Sequence, residues 1–564
     1  MKYTGAQIVW ETLVREGVKV VFGYPGGANL PIYDALLEFP IDHVLVRHEQ
    51  CAAHAADGYA RASGEVGVCM ATSGPGATNL VTGIATAMMD STPMVCITGQ
   101  VNGTLIGSDA FQEVDVTGIT LPITKHNYLI NNIDDLADAL REAFFIARSG
   151  RPGPVLVDIT KDVQNASIEW EYDDSPIQMP GYRPNLKPSN ADIETALQMI
   201  KNAERPVILA GHGVLKSGAM RQVREYAERT NTPVSMTLLG LGGFPADHRL
   251  NLGMMGMHGE ALANNCIQEA DLLLAFGMRF DDRVTGTLST YAKNAKKIHF
   301  DVDSTEINKV VPVDLALIGD LGQSLDQLLP HIQTQDHTEW MQYVAEQREI
   351  NEVHNILQTP DNGTLYAAHV IDDILTFTEG KAIIVTDVGQ NQMWAAQYYK
   401  HNFPYHMITS GGLGTMGFGL PAAMGVKKAR PEAEVWVIAG DGGFQMTQME
   451  LATIAQEGLK INIAILNNGY LGMVRQWQQF FYGNRYAETP ISSPDFVMIA
   501  QAHGLSGQRA TNRAEARDAI QFARQNPGTV LVDFRIEQED CVYPMVPTGA
   551  ALNNMIRRPL QSKA

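Results

Sequence analysis

Two short β-like runs end in residues suited to holding a metal ion and a diphosphate. Val435–Ala439 leads into Gly440-Asp441-Gly442-Gly443, and Ile461–Leu466 leads into Asn467-Asn468-Gly469-Tyr470. Between them a helical pattern places Leu451, Ile454 and Ala455 on one face. The whole reads as one βαβ unit. Asp441 and Asn468 then fall at the carboxyl edge of a parallel sheet, where open α/β folds bind ligands. A carboxylate, an amide oxygen and a nearby backbone carbonyl are hard oxygen ligands that suit Mg²⁺ and leave it positions for phosphate oxygens. One carboxylate is sensible, because such a ligand brings its own negative charge. The glycines let the backbone come close, and a helix starting near Phe444 offers free N–H groups to an anion. A Gly-Asp-Gly turn alone is an ordinary strand end. The Asn pair on the next strand, in register with it, is what points to a site.

The spacing of GDG, 24 residues and NN resembles the motif of the thiamine diphosphate-dependent enzyme superfamily. The resemblance implies that Asp441, Asn468 and the backbone of Tyr470 hold Mg²⁺. It implies a diphosphate cradle of Gly440, Gly442, Gly443 and Gly469, with Val388, Gly389, Gln390, Asn391 and Gly414. This cofactor works through a carbanion at C2, and the protein must shift a proton on its aminopyrimidine ring. That requires a carboxylic acid beside N1′ in an apolar place. Glu49 follows a strand-like run and opens an Ala-rich helix in Val46-Arg47-His48-Glu49-Gln50. By pattern alone it reads also as a helix N-terminal charge favoured by the dipole. RHEQ followed by Ser73-Gly74-Pro75-Gly76-Ala77 is similar to the superfamily's pyrimidine-binding region, which implies the proton-transfer role for Glu49.

The elements that position these residues fall into three α/β blocks. The first alternates β-rich runs (Val18–Phe22, Val44–Val46, Val66–Met70, Pro93–Ile97, Val155–Ile159) with Ala-rich helical stretches over 50–62 and 77–89. The second has runs at Pro206–Ala210, Pro233–Thr237, Leu272–Phe276, Lys297–Val302 and Ala316–Ile318. The third has Ala382–Thr386, Val435–Ala439, Asn462–Leu466 and Thr529–Phe534. Alternation of this kind predicts parallel, doubly wound sheets covered by helices. The expected domains are 1–167 (pyrimidine-binding), 190–335 (central, nucleotide-binding-like) and 365–545 (diphosphate-binding). Linkers are expected over 168–189 and 336–364, the second helical, with a tail over 546–564. No sequence repeat relates the blocks.

Four further segments narrow the family: Tyr24-Pro25-Gly26-Gly27-Ala28, Gly107–Glu113, Gly277-Met278-Arg279-Phe280-Asp281-Asp282-Arg283 with Val284-Thr285-Gly286, and Leu471–Trp477. Together they resemble the catalytic large subunits of acetohydroxyacid synthase (acetolactate synthase) over residues 3 to about 550. The RFDDR segment marks the FAD-containing biosynthetic type. The resemblance implies decarboxylation of pyruvate and transfer of the two-carbon unit to a second 2-ketoacid, pyruvate or 2-ketobutyrate, at the first common step of valine, leucine and isoleucine biosynthesis. It implies that Arg283 clamps the second ketoacid's carboxylate, with Trp477 and Met257 shaping the pocket. Gln112 and the Gly27 N–H would stabilise the developing alkoxide, Phe111 and Lys161 would line the substrate side, and Met416 would wedge the cofactor into a bent form. FAD is implied in the middle block, held by Arg151, Gly211, Gly213, Thr237, Leu238, His258, Gly277, Arg279, Arg283, Asp301 and Asp320. With no net oxidation in the reaction, this flavin is expected to be structural. The superfamily also implies a homodimer or tetramer with active sites at the dimer interface, and relatives pair with a small regulatory subunit.

On residue type alone, Arg283 reads also as a surface ion-pair residue, and Trp477 and Met257 as core or interface residues. A flavin pyruvate oxidase on the same scaffold is a second reading, marked by phosphate- or quinone-dependent flavin turnover. A non-catalytic nucleotide-binding or regulatory subunit is a third, and the Glu49, Asp441 and Asn468 set argues against it.

Three positions depart from the family pattern. Asn391 stands where relatives usually carry a His that donates to the diphosphate; its amide can donate but cannot become cationic. Gly211-His212-Gly213 replaces a run of three glycines, so a side chain sits at the expected flavin loop. Asn102 lies where many relatives have Pro.

Composition sets the outer limits. The 564 residues carry 42 Lys+Arg against 62 Asp+Glu, a net charge of −20. That balance argues against general nucleic-acid or anionic-membrane binding. Val66–Met89 and Met407–Val426 contain no Asp, Glu, Lys or Arg. Their Ser-Gly-Pro-Gly and Gly-Gly-Leu-Gly turns read as cofactor-site walls or buried helices rather than membrane spans. Five scattered cysteines without a CxxC pair read as reduced core thiols. The first residues start on a helix-like pattern (Ala6, Ile8, Val9, Leu13, Val14). A cytoplasmic chain is the expectation.

Overall fold

A computed structural model of the protein describes residues 1–184, 186–358 and 362–560. The expected linkers and tail therefore include Asn185, 359–361 and 561–564, which lie outside the described residues.

Strand β1 (Lys2–Thr4) precedes the first sheet of β2 (Val20–Gly23), β3 (Asp42–Leu45), β4 (Gly67–Ala71), β5 (Met94–Gln100), β6 (His126–Ile130) and β7 (Pro154–Thr160); β8 (Ser167–Glu169) pairs antiparallel with β1. The second sheet holds β9 (Pro206–Ala210), β10 (Val234–Met236), β11 (Asn251–Met254), β12 (Leu272–Phe276), β13 (Lys296–Asp301) and β14 (Leu315–Ile318). The third holds β15 (Ile383–Thr386), β16 (Met407–Ile408), β17 (Val435–Gly440), β18 (Asn462–Asn467), β19 (Ser506–Ala510) and β20 (Val530–Arg535). Each sheet has six strands, all parallel within it, and the central strands are apolar runs buried on both faces.

The orders are informative. The first sheet runs β3-β2-β4-β5-β7-β6 and the third β16-β15-β17-β18-β20-β19, so the two share one topology without a shared sequence repeat. The middle sheet runs β11-β10-β9-β12-β13-β14, the doubly wound order of dinucleotide-binding folds. Each sheet reverses direction beside its first strand, and crevices open there beyond the strand ends. Asp441 follows β17 at the reversal of the third sheet. Gly211 and Gly277 follow β9 and β12 at the reversal of the second.

First and third blocks pack through the helices Glu49–Ser63 and Gly419–Ala429. A Cβ on Gly58 would lie 2.1 Å from the Ala422 carbonyl oxygen, and one on Gly425 1.8 Å from that of Ala55. Matching Ala-x-x-Gly spacings thus let two backbones touch.

Some local expectations are corrected. The stretch 77–89 is two helices, Pro75–Asn79 and Val81–Met89, because Gly74 (φ +56) and Pro75 start a short turn of helix that ends before Val81. The helix expected near Phe444 begins at Asp441 itself. Ala455 is exposed, so Leu451 and Ile454 bury that face with Thr453 instead. All five cysteines are buried and free. Among the described residues no helix is long and apolar enough to cross a membrane. Val66–Met89 and Met407–Val426 each contain a strand, a Gly-rich turn and helix.

Candidate active site

Asp441 is the first residue of the helix Asp441–Gln445, directly after β17, and is 1% exposed. Its Oδ2 accepts from Ser493 Oγ at 2.8 Å, and its Oδ1 is buried without a partner. Burial raises its pKa, offset in part by Ser493 and by the backbone N–H groups of Asp441, Gly469 and Gly442. A buried carboxylate oxygen without a well-formed hydrogen bond is costly unless a cation meets it. Asn468 follows β18. Its Oδ1 accepts from Tyr470 N at 3.2 Å and its Nδ2 donates to Gln390 Oε1 at 3.1 Å, which fixes the amide's orientation. Gln390 in turn donates to Gln476 Oε1 and the Asp540 carbonyl. This donor set fits a small hard cation. Met416 reaches the same turn, its methyl 3.8 Å from where a Cβ on Gly442 would stand.

Asp387, which the motif reading missed, organises the opposite wall. Its carboxylate accepts from the N–H groups of Val388 (2.7 Å), Gly417 (3.0 Å) and Gly419 (3.4 Å). A Cβ on Gly443 would lie 2.4 Å from its Oδ1, so the glycine is required by this carboxylate. Burial pushes its pKa up to about 6, against the pull of those N–H groups. The available signal was position: Asp387 follows β15 as Asp441 follows β17. Asn391 corrects an expectation. Its Nδ2 donates to the Asp387 and Ile438 carbonyls, each at 2.9 Å, so neither hydrogen is free for a diphosphate. Its Oδ1 turns towards Gly389 and Gly440.

A cavity of about 860 Å³ joins this region to the middle sheet. Its wall includes Val388, Gly389, Gly414 and Trp477 from the third block, and Arg151 from the first. From the middle block come Gly213, Thr237, Leu238, Met257, His258, Gly277, Arg279, Arg283, Asp301 and Asp320. Arg283, Met257 and Trp477, far apart in sequence, meet here. The Arg283 Nη1 lies 3.4 Å from Met257 Sδ, and its guanidinium stands 5.8 Å from the Trp477 ring centre. Met257 N also donates to the Arg283 carbonyl at 2.7 Å. Gly211 does not line the cavity; a Cβ there would strike the Gly277 carbonyl at 2.2 Å. Its glycine is explained by packing of the β9 and β12 ends. His212 holds its ring on the Asp90 carbonyl, Nδ1 at 3.1 Å. Burial and then Arg283 lower the His258 pKa to about 4. Arg151 is already bound to Glu306 (2.7 Å) and Asp303 (3.2 Å). The size lies in the range of cofactor pockets, and Asp301 at the end of β13 has the place of a ribose-binding acid. The residues fit a dinucleotide.

Glu49 opens the helix Glu49–Ser63, capped by His48, and is half-buried. Its Oε2 accepts from Asn79 Nδ2 at 2.9 Å, and Gly76 stands against its Oε1. It does not line the cavity. Gln112 is held at φ +61, packed on Gly74, where a Cβ would come within 2.9 Å of the Gln112 carbonyl oxygen. Phe111 is 87% exposed, and a Cβ on Gly27 would meet open space. Lys161 begins the helix Lys161–Asn165 after β7. These first-block residues follow β2, β3, β5 and β7 at one edge of the first sheet.

Three family models cover the chain: the thiamine pyrophosphate enzyme N-terminal TPP binding domain over residues 3–119, its central domain over 193–328 and its C-terminal TPP binding domain over 387–534. An acetolactate synthase of Mycobacterium leprae is 49% identical over 562 residues, 97% of this chain and 89% of the relative. The chain belongs to the acetolactate synthase family. The large subunit from Corynebacterium glutamicum is 47% identical, over 98% of this chain and 89% of the relative. The isozyme 2 large subunit from Escherichia coli is 46% identical, over 98% and 99%. As a member of this family the protein is a thiamine diphosphate enzyme. The cavity gathers the middle-block candidates with Val388, Gly389, Gly414 and Trp477 of the third block and Arg151 of the first, while Asp441, Asn468 and Tyr470 lie outside its lining.

Proposed function

We propose that the protein is the catalytic subunit of acetohydroxyacid synthase, joining pyruvate to a second pyruvate or to 2-ketobutyrate with loss of CO₂. The products are 2-acetolactate and 2-aceto-2-hydroxybutyrate, precursors of the branched-chain amino acids. The observation that carries the reading is the Arg283, Met257 and Trp477 cluster at the cavity beside Val388 and Gly389. A guanidinium flanked by an aromatic face and a thioether is a fitting clamp for a small anionic ketoacid.

Thiamine diphosphate, when bound, supplies a carbanion centre that attacks a ketoacid carbonyl and absorbs the charge left by CO₂. Asp441, the Asn468 amide oxygen and the Tyr470 carbonyl would hold Mg²⁺, supported by the partnerless Asp441 Oδ1. Gly440, Gly389, Gly414 and Gly469 leave backbone open to phosphate oxygens, and Gly442 and Gly443, packed against Leu471 and Asp387, would offer their N–H groups. Glu49 moves a proton at N1′ of the pyrimidine, its second oxygen steadied by Asn79. Gln112 and the Gly27 N–H face the alkoxide that develops on carbonyl addition. Phe111 and Lys161 would line the substrate side, and Met416, which reaches the Gly442 turn, would press against the cofactor. Middle-block residues hold FAD as a structural group.

A homodimer, or a dimer of dimers, brings Glu49 of one chain to the Asp441 cradle of another. The 87% exposure of Phe111 supports this. A small regulatory subunit completes the assembly, in keeping with the relatives called large subunits. The protein works in the cytoplasm.

The test supplies thiamine diphosphate, Mg²⁺, FAD and a pyruvate/2-ketobutyrate mixture, then quantifies both acetohydroxyacids. Acetaldehyde or acetate as sole product would overturn the reading.

A further inference from the structure

Among the described residues, five Lys and Arg side chains line the large cavity: Arg148, Arg151, Lys216, Arg279 and Arg283. Four have acidic partners: Arg148 has Glu16, Arg151 has Asp303 and Glu306, Arg279 has Asp281 at 3.8 Å, and Arg283 has Asp282 at 3.7 Å. The Lys216 side chain makes no hydrogen bond and no ion pair among the described residues. It sits in the turn of helix His212–Lys216 that follows β9, beside the reversal of the middle sheet.

Its nearest charges belong to the seam with the first block. Arg61, Asp57 and Asp90 form a closed cluster there. Asp57 takes Arg61 Nε and Nη2, while Asp90 takes Arg61 Nη2 and the N–H groups of Gly411 and Gly412. These carboxylates are satisfied without Lys216. Burial, then Arg61, push the ammonium down to about 8, and Asp57 and Asp90 hold it up against them. Lys216 is half-buried in the cavity wall, and a cation drawn partly out of water without a partner is costly to keep. Its ammonium is a compact point charge on a flexible stem, a form suited to a phosphate oxygen.

We propose that Lys216 is the cationic partner of a phosphate group of the nucleotide bound in this cavity. The contact lies outside both the motif spacing and the flavin residues named above, and it rests on the FAD reading. Arg151 does not replace it, because two carboxylates already hold that guanidinium.

The test strips the protein of nucleotide and titrates it with FAD and with riboflavin, which lacks phosphate, following flavin fluorescence. Wild type, Lys216→Met and Lys216→Arg are compared. Lys216→Met is expected to weaken FAD about 10- to 100-fold, leave riboflavin within about twofold, and melt no lower than wild type without nucleotide. Lys216→Arg should recover most of the FAD affinity. Equal FAD affinity in wild type and Lys216→Met overturns the proposal alone. So does equal loss of FAD and riboflavin with a lowered melting temperature, which marks Lys216 as a counter-ion of the Arg61 cluster. Wild type that binds no FAD overturns the flavin reading and this proposal together.

Discussion

Arg61 and Asp90 are ion-paired at 2.9 Å with both side chains buried, and this pair ties the three blocks together. Asp90 receives the Gly411 and Gly412 N–H groups of the third block on its carboxylate and the His212 ring of the middle block on its carbonyl. Arg61 also donates to the Thr409 carbonyl at 2.7 Å. Arg61→Met would leave Asp57 and Asp90 buried without their cation. The expected loss is about 3–5 kcal/mol, read by urea unfolding. A change under ~1 kcal/mol would show that the cluster does not set the seam.

Asp441→Asn separates stability from function. Oδ1 is a buried, partnerless carboxylate oxygen. Replacing the charge should leave the metal-free protein as stable as wild type or up to ~1 kcal/mol more so. Thiamine diphosphate and Mg²⁺ affinity should fall by about 10- to 100-fold. Differential scanning with and without cofactor checks both arms, and chelation of Mg²⁺ should reproduce the second in wild type.

Glu49→Gln keeps the contact with Asn79 but removes the transferable proton. Acetohydroxyacid formation should fall by about 10²- to 10⁴-fold with circular dichroism and melting temperature unchanged. Activity within threefold of wild type would remove Glu49 from the chemistry.

Asn391→His tests the departure at the cradle. Asn391 spends both amide hydrogens on carbonyls and turns its oxygen towards Gly389 and Gly440. An imidazole that donates there should bind thiamine diphosphate at least as tightly as wild type by calorimetry. A markedly higher dissociation constant would show that the Asn oxygen is the better neighbour.

His258 predicts an acid-side loss of stability. Its folded pKa is lowered to about 4 by burial and Arg283, against about 6.5 in an unfolded chain. Between those values the unfolded state binds a proton that the native state refuses, so stability falls as pH drops from about 6.5 to 4. Its share is on the order of 2–3 kcal/mol. Melting curves of wild type and His258→Asn should therefore converge towards pH 4 if wild type starts higher, and cross if it starts level. Parallel curves would contradict this.

Much of the fold was legible because buried parallel strands are continuous apolar runs. Leu272–Phe276 and Ile383–Thr386 announce themselves in this way. The four strands missed within the three sheets, β6, β11, β16 and β19, all lie at sheet edges. An edge strand is short or half-exposed, so Ser506–Ala510 and His126–Ile130 carry no apolar run to read. Asp387 escaped notice because its partners are N–H groups distant in the chain, supplied by Gly417 and Gly419.

The sequence by itself determined the family and where its candidate residues stand: Asp441 and Asn468 at consecutive strand ends, Glu49 at the head of an Ala-rich helix. Those are local facts of residue type, spacing and strand-to-helix order. Tertiary structure decided which of them share a space. Arg283, Met257 and Trp477 became one cluster, Asn391 lost its free donors to two carbonyls, and Lys216 was left as an unpartnered cation in the cavity. The physical reason is that hydrogen bonds and ion pairs act over a few ångströms, and the order of strands in a sheet, not the order of residues in the chain, sets those distances.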